Sequence, residues 1–290
     1  MSEFIKALQQ AERDRNARRD MTGERPPPAP ALDVPLPNPP PGARDSRPVE
    51  YSNGATYGHE ARRLDAPPPP PWRPASVLAD QYRALSHFVE ERNKKARFSV
   101  IGITSAAVRE GKTTTVVNLG RALAESGEAR VLLIDADFRH PALGRRCGVH
   151  DVGFGTLAHA LTNDVPLSAV VCRSGSSHVS VIPAGRADRG SYEILRSRRF
   201  HELMEEARSR YDYVIVDSPA VLPSPDFRLI GDVVDGFLLV VAANRTPRTT
   251  FEDALRELDP AKAVAMVFNG DDTIARGPRQ PAGPRAVGRR

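Results

Sequence analysis

The chain has 290 residues, room for one large domain or two small ones. Of its 27 prolines, 16 fall in the first 75 residues, where 11 Lys/Arg meet 10 Asp/Glu and apolar periodicity is slight; most of that stretch cannot offset chain entropy by burial. No apolar run approaches a bilayer span, the charged first residues exclude a secretory leader, and the net charge of +5 collects in a tail with Arg276, Arg279, Arg285, Arg289 and Arg290, so no nucleic-acid partner is expected.

Residues 1–20 place Phe4, Ile5, Leu8 and Ala11 on one helical face. Such a short amphipathic helix either frays in solvent or docks on a partner protein. Residues 21–75 form a disordered proline-rich linker whose proline runs favour extended polyproline II. From residue 76 the texture changes. A helix over 76–93 is followed by an apolar run at 98–103, a helix at 112–126, a run at 130–135 and a helix at 156–162. Next come a run at 179–183, a helix at 191–209, runs at 213–217 and 236–242, a helix at 248–257 and a run at 263–268. Strands alternating with helices predict βαβ units. The strands are apolar throughout rather than alternating, as expected when helices cover both faces of a mostly parallel sheet. The expected fold is therefore α/β over residues 76–272, with a disordered basic tail over 273–290. Cys147 and Cys172 form no C-x-x-C pair, which suits a reducing cytoplasm.

Three strand ends carry candidate chemistry. The first is TSAAVREGKTT, residues 104–114, between a predicted strand and a predicted helix. Gly111, Lys112 and Thr113 fit the end of a Walker A phosphate loop, whose backbone N–H groups and helix dipole hold phosphate oxygens. Lys112 would reach the β- and γ-phosphates and Thr113 would ligate Mg²⁺. Ala106 stands where the pattern begins with glycine. The second is VLLIDADFRHP, residues 131–141, a buried strand ending in Asp135 and Asp137, with Arg139 after them. Carboxylates at the carboxyl end of such a strand suit metal binding or deprotonation of a hydroxyl. The third is YDYVIVDSP, residues 211–219, a strand ending in Asp217, the position of a Walker B carboxylate that holds Mg²⁺ directly or through water. Each alone reads equally as an ordinary turn or a capped strand end. Their joint occurrence in this order does not.

From Asp80 to Asn269 the chain resembles the bacterial tyrosine autokinases of exopolysaccharide and capsule systems, which are deviant-Walker P-loop ATPases. Residues 132–141 are similar to their Walker A′ motif, and residues 213–222 with Asp226 to their Walker B strand and loop. Residues 182–185 and 194–197 also match family positions, and residues 1–8 resemble the opening helix of some cytoplasmic members. The resemblance implies a P-loop NTPase-type fold, ATP and Mg²⁺ as cofactors, and transfer of the γ-phosphoryl group to tyrosine. It implies that Glu110, Gly111, Lys112, Thr113 and Thr114 surround the phosphates, and that Asp135 and Asp137 sit beside the metal and the tyrosine hydroxyl. Asp217 would be the second metal-shell carboxylate, with Thr113 and Asp135 as the other metal ligands. Arg139 would contact substrate or phosphate, and Asn269 would face the adenine. It also implies a separate membrane-bound activator of the co-polymerase type, reached through the N-terminal helix, recruitment to the inner face of the membrane, and a homo-oligomer.

The chain departs from that pattern at several places. No tyrosine follows Tyr213, where the family has its acceptor cluster; Tyr51 and Tyr57, in the linker, are the expected acceptors. Asp80, Arg83 and Ser86 replace the family's Glu-x-x-Arg-x-x-Arg assembly motif, and Arg109 replaces a glycine. Two other readings stand beside the kinase: a partition- or septum-site-like ATPase switch, and a degenerate nucleotide-binding regulatory subunit. The switch ATPases carry an extra lysine early in the phosphate loop, where this chain has Ala106 and Ala107.

Overall fold

The computed structural model describes residues 62–64, 76–149, 155–174, 179–187, 190–222 and 224–270. These fall within one compact unit, Gly58–Arg290. The expected N-terminal helix, Tyr51, Tyr57 and the basic tail lie outside the described residues.

The chain order begins β1 (Arg62–Leu64), α1 (Val77–Ala96), β2 (Val100–Ser105), α2 (Lys112–Leu123), β3 (Val131–Asp135) and α3 (Leu143–Arg146). It continues α4 (Leu157–Asn163), α5 (Leu167–Val170), β4 (Cys172–Ser174), β5 (Val179–Ile182), α6 (Ser191–Leu195), α7 (Arg198–Arg210) and β6 (Tyr213–Asp217). It ends α8 (Asp226–Val233), β7 (Gly236–Ala242), α9 (Arg248–Glu257) and β8 (Ala263–Asn269). The strands form one sheet in the order β1-β4-β5-β3-β6-β2-β7-β8. Every pairing is parallel except β4 with β5.

Strands β2, β3, β5, β6 and β7 are buried on both faces, as their unbroken apolar runs predict, while β8 is half-buried. On β3, Leu132 and Ile134 join one core and Val131 and Leu133 the other; on β6, Val214 and Val216 oppose Tyr213 and Ile215 in the same way. Helices α1 to α3 cover one face, with Tyr82, Val89, Val116, Leu119 and Leu143 in its core. Helices α4 to α9 cover the other through Leu157, Leu167, Leu195, Phe200, Leu203 and Ile230. Alternate residues of a strand point to opposite faces, so a strand between two helical layers must be apolar at both.

Caps set the helix limits. Ser76 accepts from the Ala79 N–H at 3.2 Å and opens α1. Ser197 does the same for Phe200 at 3.3 Å, its extended ψ of 147° lying outside any helix. The single helix expected over 191–209 is therefore two, α6 and α7, broken at Ser197. Helix α1 is tied to the turn after α2 by Arg83, whose guanidinium forks onto Glu125 at 2.6 and 2.8 Å while also meeting Asp80 at 2.8 Å. Ser86 is buried and donates to the Arg83 carbonyl at 2.9 Å. All three positions that stand at the assembly motif are thus engaged within the chain.

The sheet also reaches past the boundary expected at residue 76. Arg62–Leu64 pairs with Cys172–Ser174, so three residues of the proline-rich segment form β1 beside β4. Backbone pairing on an edge strand needs no apolar side chains, which is why composition gave no sign of it. Strand β4 and helices α3, α5 and α8 likewise have no clear sequence signal; all but α8 are four residues or shorter.

Candidate active site

The phosphate loop joins β2 to α2. Two of its residues take left-handed backbone, Arg109 with φ 62° and Gly111 with φ 101°. A Cβ on Gly111 would come within 1.9 Å of the Asn269 amide nitrogen, so this position requires glycine both for its φ and for its space. Arg109 explains why a glycine is usual there: an L-residue with positive φ costs roughly 1–2 kcal/mol. Ala106, in place of the pattern's first glycine, is fully buried in the core beneath the loop.

Glu110, expected at the phosphates, turns its side chain onto the protein. It is 5% exposed; Oε2 accepts from the Ala107 N–H at 3.1 Å and Oε1 from the Thr246 hydroxyl. Asn269, expected at the adenine, donates its amide to the Glu110 carbonyl at 3.0 Å. It braces the loop from the end of β8. Lys112 and Thr113 open α2, with Thr114 half-buried behind them and the Lys112 side chain buried.

Asp135 and Asp217 end β3 and β6 and are direct register partners. Both are about 1% exposed. Asp135 is heavily engaged: Oδ2 accepts from the Ala142 and Leu143 N–H groups at 3.1 and 3.0 Å, and Oδ1 from the Asp137 N–H at 3.2 Å. Burial, and then the neighbouring Asp217, nevertheless push its carboxyl well above the usual range. Asp137 sits on the same loop and accepts from the His140 N–H at 3.0 Å. Asp217 is the opposite of Asp135: both its oxygens are buried without a hydrogen-bond partner. Burial raises its carboxyl, against the Thr113 hydroxyl and Lys112, which lower it. Lys112, Thr113 and Asp217 thus meet.

Arg139 is turned toward a different partner from the one expected. Its Nε donates to Asp226 Oδ2 at 3.1 Å, and the Ser191 hydroxyl donates to the same oxygen at 2.6 Å. Asp226 is fully buried at the start of α8. It ties the loop after β3 to the loop after β6. The roles of Asp226, Ser191 and Thr246 are not legible in the sequence, because each acts across a long stretch of chain. Asp226 did carry a signal, an acid following Pro225 at a helix start. Thr246 carried none.

The donor set fits a magnesium nucleotide. Two orphaned carboxylate oxygens lie beside a lysine and a threonine at the start of a helix whose N–H groups point outward. Among the described residues no cluster of three or more His, Cys, Asp or Glu could hold a metal alone. A small hard cation would therefore depend on phosphate and water oxygens for most of its shell, which is usual for Mg²⁺.

Known proteins point the same way. The model of an AAA domain matches residues 99–226. The tyrosine-protein kinase YwqD of Bacillus subtilis is 32% identical over 209 residues, covering 68% of this chain and 83% of YwqD. The succinoglycan biosynthesis transport protein ExoP of Rhizobium meliloti is 31% identical over 204 residues, which are 69% of this chain and 26% of ExoP. Among solved structures, the BceF tyrosine kinase domain shares 31% identity and superposes with a TM-score of 0.61 over 68% of this chain and 79% of that one.

Proposed function

Because the chain belongs to the family of bacterial tyrosine-protein kinases, we propose that its folded domain transfers the γ-phosphoryl group of ATP to protein tyrosine and so regulates the polymerisation and export of an exopolysaccharide or capsule. The observation that carries the reading is the meeting of Lys112, Thr113 and the orphaned Asp217 at the carboxyl ends of β2 and β6, beside Asp135 and Asp137. Mg²⁺, when bound, neutralises charge on the phosphates being transferred. Lys112 adds a second positive charge there, and the first N–H groups of α2 hold the phosphate oxygens. Thr113 and Asp217 are the residues that would hold the ion. Asp135 shapes the loop through its three backbone bonds, and Asp137 receives the tyrosine hydroxyl. Arg139 aligns the two acid-bearing loops through Asp226. Positioning and charge neutralisation supply most of the catalysis of such a transfer.

The acceptors in this reading are Tyr51 and Tyr57, and the activator is a separate membrane-bound chain that recruits the kinase to the inner face of the membrane through residues 1–20. Among the described residues no helix is long and apolar enough to cross a membrane. Membership of the kinase family and the Ala106-Ala107 pair weigh against the switch-ATPase reading. The test is incubation of purified protein with labelled ATP and Mg²⁺, read for phosphotyrosine against free phosphate. Phosphotyrosine that disappears in the Tyr51→Phe/Tyr57→Phe protein supports the full proposal. Steady hydrolysis without phosphotyrosine overturns it.

A further inference from the structure

The phosphate loop is braced by a residue far outside it. Thr246 lies between β7 and α9, 136 residues after Glu110. Its own backbone is locked in a turn, the Thr246 N–H donating to the Ala242 carbonyl at 3.1 Å and the Ala242 N–H donating to Thr246 Oγ1 at 3.1 Å. With its oxygen thus engaged, the hydroxyl proton is directed at Glu110 Oε1. The other carboxylate oxygen takes the Ala107 N–H at 3.1 Å, and the Glu110 carbonyl takes the Asn269 amide at 3.0 Å. One buried acid is therefore satisfied from inside the loop, from the turn after β7 and from the end of β8.

We propose that Thr246 is a positioning residue for nucleotide binding, acting through the Glu110 carboxylate to preset the phosphate loop. Glu110 directly precedes Gly111 and Lys112, so a shift of Glu110 moves the N–H groups and the ammonium that meet the phosphates. A buried carboxylate that loses one donor must move toward another or toward water, because an unpaired buried charge is costly. Affinity for an anion then falls because the N–H groups are no longer set in advance. The inference rests only on the nucleotide-binding part of the proposed function.

The test compares Thr246→Val, Thr246→Ser and Glu110→Ala by calorimetry with Mg-ADP, well below each protein's melting midpoint. Thr246→Val should weaken binding about tenfold or more, and Thr246→Ser, which keeps the hydroxyl, should stay within about twofold of the native chain. The double variant of Thr246→Val with Glu110→Ala should bind no more weakly than Glu110→Ala alone. In kinase assays KM for ATP should rise in Thr246→Val while kcat at saturation changes little. If Thr246→Val does not fold, Thr246→Ala carries the same comparison. Native affinity in Thr246→Val, failure of serine to rescue, or losses that multiply in the double variant would overturn the proposal. Mg-ADP binding is read without phosphoryl transfer, so a chain that binds Mg-ADP but makes no phosphotyrosine defeats the kinase reading alone.

Discussion

The two halves of the site are built in opposite ways. On the phosphate-loop side, at β2, β7 and β8, the polar groups of Glu110, Thr246 and Asn269 have partners before any nucleotide arrives. On the carboxylate side, at β3 and β6, Asp217 is buried with two unpartnered oxygens next to a second acid. The first half is preset, and its cost is met by internal hydrogen bonds. The second half is strained until a cation or proton joins it.

The largest expected effect tests the preset half. Lys112→Ala should abolish measurable ATP binding, a loss of at least about a hundredfold, while circular dichroism and melting stay close to native. Removing one buried charge-assisted contact is worth a few kcal/mol, about that factor. Unchanged calorimetric affinity would show that the loop does not bind phosphate.

The strained half is tested by Asp217→Asn. Burial raises the Asp217 carboxyl despite Thr113 and Lys112, so replacing it should stabilise the nucleotide-free protein by about 1–3 kcal/mol, seen as a higher melting temperature, while phosphoryl transfer is lost. A lower melting temperature would mean that the carboxylate is already satisfied, and the contrast between the halves would fail.

A smaller effect sharpens the account of the loop. Arg109→Gly should stabilise the fold by about 1 kcal/mol by removing the left-handed strain at that position, with denaturant melting as the measure. A loss of Mg-ADP affinity in the same variant would show that the arginine also meets phosphate. The smallest expected signal concerns Cys147, near the same core. Burial pushes its thiol up to about 11, with Arg121 opposing. The group is protonated below that value, so native protein at pH 8 should leave Cys147 unlabelled by a thiol reagent on the timescale that labels unfolded chain. Prompt labelling would show that this core opens readily.

Much of this could be read from the residues alone, and the reason is local. Strands buried on both faces are continuous apolar runs, so 213–217 and 236–242 were placed to the residue. Acids at the ends of such runs stand out, and Asp135, Asp137 and Asp217 were found that way. What escaped was set by a local cap, an open sheet edge and distant partners. The break at Ser197 depends on a cap inside an otherwise helical pattern. Strand β1 depends on an available edge. The roles of Glu110, Asn269 and Arg139 were assigned toward a ligand, but their side chains are turned toward Thr246, the loop backbone and Asp226. No spacing rule reports bonds between residues 87, 136 and 159 positions apart.

The strand order carries a consequence for timing. Strand β2, which bears the phosphate loop, has only β6 and β7 as neighbours, and both are made later. During synthesis the loop residues therefore wait about a hundred residues for the strand that holds them, roughly 5–20 s at ordinary rates of elongation. Strand β6, when it arrives, inserts between β3 and β2 and brings Asp217 with it. The event that completes the centre of the sheet is the same one that delivers the last carboxylate. A nascent chain that ends before β6 lacks both Asp217 and the strand that joins β2 to β3.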